Sequence, residues 1–286
     1  MKLADRVYNI LSQIEFLVFR GGGGGEFLSS LIYKYSNSYH NEEVVTSSNT
    51  TLNKTSIYYP SFFSEIANSP QQNANILNIL SQLKEEYITE AEDFLSRRDK
   101  FIARMHYVNN TILINRSIFM LLDEKKWFDY AGLLVAYKNQ LHTDDISIEL
   151  NSHERKFGII FGDKEVATRK IINYMASNNL EKISSLKLSL IYSNKLDIDE
   201  VLVSDIQDLY FKYGNIVHGE HEYYRNAMLR KPWKKIINFS NIFTKGYLED
   251  IFDISGDEFH EELLTWHEKN LILLESKGID IAEFKS

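Results

Sequence analysis

LYFKYGNIVHG, running from Leu209 to Gly219, is the stretch on which the fold reading turns. Ile206, Leu209, Tyr210, Tyr213 and Val217 recur at the three- and four-residue spacing of one helix face. Upstream, Asp197 offers an N-cap, with Glu200 in capping-box register, and Gly219 stands where a helix would end. One helix is therefore expected from Asp197 to Val217. His218 falls at its C-terminus, where the helix dipole favours a cationic imidazole. Gly214 lies one turn before His218 on the same side. A mid-helix glycine costs about 1 kcal/mol relative to alanine, so either a ligand or a closely packed partner helix needs that space.

The rest of the chain extends the helical reading. Its 286 residues include only three prolines, Pro60, Pro70 and Pro232, a scarcity that suits long helices. Residues 2–20 read as an amphipathic helix through Leu3, Val7, Ile10, Leu11, Ile14, Leu17 and Val18. Further helices are expected from Pro70 to Ile88 and over 91–107, 110–122 and 127–141. The pattern resumes from an Asp163 cap through Met175 and again over 240–252 and 257–277, with a short apolar element from Leu186 to Tyr192 between them. Residues 36–59, rich in Ser, Asn and Thr, read as a loop, and 144–162 as an irregular stretch. Gly21 to Gly25 read as a flexible linker. A phosphate-cradling P-loop places Lys and then Ser or Thr after its last glycine, and here Glu26 and Phe27 follow. The expected fold is all-α, a helical bundle over 96–286 with an N-terminal helical extension over 1–95.

Leu209, Tyr210, Ile216, Val217, His218 and Gly219 match the pattern L-Y-x-x-R-S-x-I-V-H-G. The stretch resembles the signature helix of the HEPN superfamily, most closely its Apea-like branch. The resemblance implies a HEPN-like helical bundle and a homodimer through the motif helix, with RNA at the interface. It implies a role in antiviral defence, toxin–antitoxin pairs or RNA processing, with an antitoxin or another defence-system component as partner. Members with the full motif are metal-independent endoribonucleases. In them the histidine moves the proton of the attacking ribose 2′-hydroxyl, and an arginine stabilises charge on the phosphate. This chain departs at the arginine, where Tyr213 stands. Tyrosine donates one hydrogen bond and carries no positive charge; it also continues the apolar stripe, as a core residue would. Lys212 is a candidate replacement, but adjacent helix positions point about 100° apart. Arg225 is the other candidate. Two readings follow: an endoribonuclease with His218 as acid and base, or a catalytically degenerate module for dimerisation, sensing or antitoxin binding.

Tyr223 to Lys235, YYRNAMLRKPWKK, carries Arg225, Arg230, Lys231, Lys234 and Lys235 without an acidic residue. Tyr224 and Trp233 are interleaved among them. Cations that neutralise phosphates and rings that stack on unpaired bases make this the candidate RNA-binding segment. The same pattern also describes a basic surface helix with core aromatics. A second basic cluster, Arg97, Arg98, Lys100 and Arg104, precedes His106 on an expected helix and reads as an exposed face. The overall charge of −8 excludes indiscriminate nucleic-acid binding, so any such contact is local. The chain has no cysteine, which removes disulfides, thiolate metal sites and cysteine nucleophiles. His218, Glu220, His221 and Glu222 do not match the zincin spacing, and no metal or other cofactor is expected. No apolar stretch is long enough to span a bilayer, and the first twenty residues do not read as a signal peptide. A cytoplasmic, reducing location is the corresponding expectation.

Overall fold

The computed structural model describes residues 3–39, 44–46, 55–57, 84–96, 101–105, 108, 111–137, 139–142, 164–192 and 196–285. Its organising feature is a sheet of four parallel strands: β1 (Ile14–Val18), β4 (Phe101–Met105), β5 (Ser117–Leu121) and β8 (Lys235–Asn238). The all-α expectation, and the all-helical HEPN-like bundle with it, is overturned by this sheet. The physical reason lies in the strands' composition. IEFLV, FIARM and SIFML are short, nearly continuous apolar runs, buried almost throughout. Strands covered on both faces carry no alternation, and periodicity alone does not separate such a run from a turn of buried helix.

The helix expected over 2–20 is α1 (Leu3–Ser12) followed by β1. The one expected over 91–107 is the end of α3 (Glu85–Ser96) followed by β4. The one expected over 110–122 is α4 (Thr111–Ile114) followed by β5. Arg104 accordingly lies in a strand, not on a helix, while Arg97, Arg98, Lys100 and His106 fall outside the described residues. The polar loop expected over 36–59 contains an antiparallel pair, β2 (Val44–Thr46) with β3 (Thr55–Ile57). The expected Asp163 cap and irregular stretch 144–162, together with the helical pattern from Pro70 to Leu83, lie outside the described residues.

Helices are found where the period is long enough to read. They include α5 (Lys125–Tyr137), α6 (Lys164–Ser177) and α12 (Glu258–Glu275), whereas the short apolar element from Leu186 is α7 (Ser185–Tyr192), buried on nearly all sides. A short antiparallel pair, β6 (Asn139–His142) with β7 (Lys182–Ser184), joins α5 to the start of α7. The single helix expected from Asp197 is two: α8 (Ile198–Val203) and α9 (Ile206–His218). Asp197 caps the first, accepting from the amides of Asp199 and Glu200. Ser204 takes an extended conformation and Asp205 restarts the helix, accepting from the Gln207 amide at 2.7 Å. In the region expected as one helix over 240–252, a 3₁₀ turn at Phe239–Asn241 precedes α11 (Tyr247–Phe252).

The strand order is β4-β1-β5-β8. β1 pairs with β4 on one side, Val18 opposite Met105, and with β5 on the other, Val18 opposite Phe119. A strand from the first ninety-five residues therefore sits inside the sheet that the later residues build. The chain leaves β1 for β4 and then crosses back past β1 to β5, so the direction of winding reverses there. In doubly wound parallel sheets such a reversal opens a crevice outside the carboxyl ends of the two diverging strands. Here that crevice lies beyond Val18 and Leu121.

Candidate functional site

Beyond Val18 the chain runs through Phe19 and Arg20 into the glycine run and then into α2 (Gly25–Tyr35). Gly21 to Gly25 are thus the loop between the central strand and its following helix, packed against the interior, and the linker reading is corrected. Gly22 has φ +82°, and a Cβ there would lie 2.0 Å from the Ala131 carbonyl oxygen in α5. Gly24 has φ +72°, and a Cβ there would lie 2.4 Å from the Trp266 ring. Both demand glycine twice over, by backbone conformation and by close approach. Left-handed Gly24 followed by helical Gly25 turns successive amides toward one point, the arrangement that makes an anion-binding nest. The first helical bond runs from the Leu28 amide to the Gly24 carbonyl at 2.8 Å. The preceding amides of the first turn are left over by helix geometry.

Arg20 is the cation of this edge. Its guanidinium lies 3.8 Å above the Phe128 ring and 5.4 Å from that of Tyr224. Nη2 donates to the His218 carbonyl at 2.6 Å. Burial pulls its pKa down, against the opposing pull of Tyr224, Tyr210 and Asp129. Among the described residues no carboxylate comes within ion-pair distance of it. A largely buried positive charge without a counter-ion is expensive.

The bond to Arg20 ties the loop to the C-terminus of α9. His218 is its last residue, and Gly219, at φ +75°, closes the helix by donating its amide to the Asn215 carbonyl at 3.1 Å. The His218 imidazole is pushed down to about 4, first by burial and then by the charge of Arg20. This outweighs the favourable helix dipole, so the ring is neutral near pH 7. Its buried Nε2 has no hydrogen-bond partner. Between α5, α9 and the start of α10 (His221–Leu229) lies a cleft of about 190 Å³. Phe128, Asp129, Tyr210, Phe211, Asn215 and His218 are among its lining residues. The Tyr210 hydroxyl donates to Asp129 Oδ1 at 3.4 Å, and Gly132 makes room for it, since a Cβ there would sit 2.2 Å from that oxygen. Lys125 pairs with the same carboxylate. His221 Nε2 lies 3.0 Å from the carbonyl of Leu122, just past β5.

The other residues singled out from sequence do not gather here. Tyr213 is half-buried against the core, with Lys212 Nζ 4.8 Å from its ring centre and 3.7 Å from Glu200. Neither lines the cleft. Tyr224 packs against Phe119 and Phe128 beneath Arg20. Trp233 stacks on Phe119 at 4.5 Å and donates Nε1 to the Met228 carbonyl at 2.7 Å. These two rings are packing groups. Lys231 donates to the Val108 carbonyl at 3.0 Å, and Lys234 pairs with Glu15 at the opposite, amino edge of the sheet. Arg225, Arg230 and Lys235 are exposed.

Arg20 and Asp129 are the residues that sequence reading passed over. The available signal was the order itself: an apolar run, IEFLVF, then five glycines, then a second apolar run. Among the described residues no group of three or more His, Asp or Glu side chains is placed to hold a metal ion, and no helix is long and apolar enough to cross a membrane. No family model matches the chain, and neither a curated protein nor a solved structure matches it.

Proposed function

We propose that this protein binds a phosphate-bearing small molecule of the nucleotide type at the carboxyl edge of its parallel sheet. The observation that carries the reading is Arg20: a largely buried guanidinium without a carboxylate partner among the described residues, at the winding reversal and next to a left-handed glycine turn. A phosphate would supply the missing counter-charge and accept from the first amides of α2. Arg20 takes the part that a lysine plays after a conventional P-loop. Titration calorimetry with inorganic pyrophosphate and with ATP tests this, comparing wild type with Arg20→Met, which keeps an unbranched side chain against Phe128 and removes the charge. Saturable binding by wild type and its loss in the variant are expected. Equal binding by both proteins, or none by wild type, would reject the reading.

A second reading, RNA-directed function, retains one specific support. Tyr223 is 78% exposed, and Arg225, Arg230 and Lys235 are exposed in the same segment. In that reading Arg20 stands beside His218 as the cation missing at Tyr213. An imidazole lowered to about 4 is a weak base toward a 2′-hydroxyl and, neutral near pH 7, a poor proton donor as well, which favours binding over cleavage. Fluorescence anisotropy with single-stranded RNA separates the two readings: loss of RNA binding in Arg225→Ala/Arg230→Ala, with pyrophosphate binding intact, would favour the second.

A further inference from the structure

We infer that the cleft between α5, α9 and α10 receives the planar heterocyclic ring of a nucleotide whose phosphates lie at the glycine loop. This rests on the phosphate reading above and names the class of ligand. The cleft has aromatic walls. Phe128 and Tyr210 line it, and Phe211, 59% exposed at its rim, stands edge-on to Tyr210 with ring centres 5.5 Å apart. Large exposed rings at a cleft mouth offer stacking surface at little ordering cost.

The polar groups suit a ring with mixed donors and acceptors. Asn215, exposed at the cleft, offers an amide that both donates and accepts, and His218 lines the same space with a neutral ring whose buried Nε2 has no partner and would be reached by a small shift of the ring. A second phosphate is a poor occupant: Asp129 and Glu220 line the same space, its one lysine, Lys125, is already paired with Asp129, and the His218 imidazole is neutral near pH 7. A purely aliphatic group would give Asn215 and His218 no new partners while excluding water from them. A space of about 190 Å³ is on the scale of one small ring system rather than a peptide.

The two halves of the ligand site share α5. Phe128 walls the cleft and carries Arg20 on its face, and Ala131, one turn further on, is what Gly22 packs against. Three residues of helix rise about 4.5 Å, so the two contacts sit on adjacent turns of α5, and in the proposed pose the sugar spans from the ring in the cleft to the phosphate beside the loop. Gly214 contributes space: a Cβ there would lie 3.2 Å from the Tyr210 ring, tighter than an ordinary contact.

The experiment measures binding of ATP, GTP, ribose 5-phosphate and inorganic pyrophosphate to the full chain, as wild type and as Phe211→Ala. Phe211 is exposed, so the variant should fold, and circular dichroism checks this. At least one nucleotide should bind tenfold or more tightly than the two ring-free probes. Phe211→Ala should weaken that nucleotide roughly tenfold or more, the scale of one lost stacking contact, and change pyrophosphate binding less than twofold. Equal affinity for nucleotides and pyrophosphate would overturn the inference and leave the phosphate reading standing. So would an equal loss for both probes in the variant. If no phosphate-bearing probe binds, both fall together.

Discussion

Acid should destabilise this protein through His218 before its carboxylates titrate. The imidazole is lowered from 6.5 to about 4 by burial and by Arg20. The folded state therefore holds the neutral ring, while the unfolded chain takes up a proton as pH drops below 6.5. The stability contribution is complete above 6.5, declines as pH falls, and is fully lost once pH passes below about 4. At about 1.4 kcal/mol per pH unit the whole effect is on the order of 3 kcal/mol, and roughly 2 kcal/mol of it falls between pH 6.5 and 5. His267 is also lowered by burial, so it adds slope in the same direction. The assay is urea unfolding at pH 7, 6 and 5 for wild type and His218→Gln, whose uncharged side chain cannot take up the proton. The variant should lose about 2 kcal/mol less than wild type over that range. A ring-proton NMR titration supplies the direct check: a His218 resonance with a midpoint between 6 and 7 would refute the burial argument outright.

Gly22→Ala places a Cβ 2.0 Å from the Ala131 carbonyl at φ +82° and should cost about 3 kcal/mol or more, read as a fall in the urea midpoint. A cost under 1 kcal/mol would mean that the loop does not pack as described. Trp233→Ala removes a half-buried ring stacked on Phe119 and should cost about 2 kcal/mol or more. Arg225→Ala, at an exposed position, should stay within about 0.5 kcal/mol of wild type in the same measurement. The reverse ranking would restore Trp233 as a surface ring available to RNA.

How much of this was legible in the sequence depended on the length of each apolar pattern. In α12 the apolar residues Phe259, Leu263, Trp266, Leu271 and Leu274 are all buried, spread along eighteen residues, and Gly278 follows at φ +81°. A pattern of that length is unambiguous. β1 offers only Ile14, Phe16, Leu17 and Val18, which continue the spacing of Val7, Ile10 and Leu11 by coincidence, so strand and helix merge into one apparent element. His218 was visible because the pattern that marks it, Leu209 to Gly219, is contiguous in the chain. Arg20 was not, because its partners are a carbonyl 198 positions away and the Phe128 ring, brought together only by the parallel sheet.

Arg20 and His218 are also coupled in charge, which limits what His218 can do. Arg20 helps hold the imidazole down, so an anion that neutralised the guanidinium would relieve that part of the shift and let the His218 pKa rise. Binding would then draw in a fraction of a proton in mildly acidic solution, and affinity for the anion would increase as pH falls toward the His218 titration. The relief is partial, however, because burial is the larger cause and a ligand filling the cleft adds to it. The ring therefore stays neutral near pH 7 with the site empty or filled. A neutral imidazole can orient a ligand through hydrogen bonds but is a weak proton donor at that pH. The same burial that fits His218 to a recognition role thus works against general-acid catalysis.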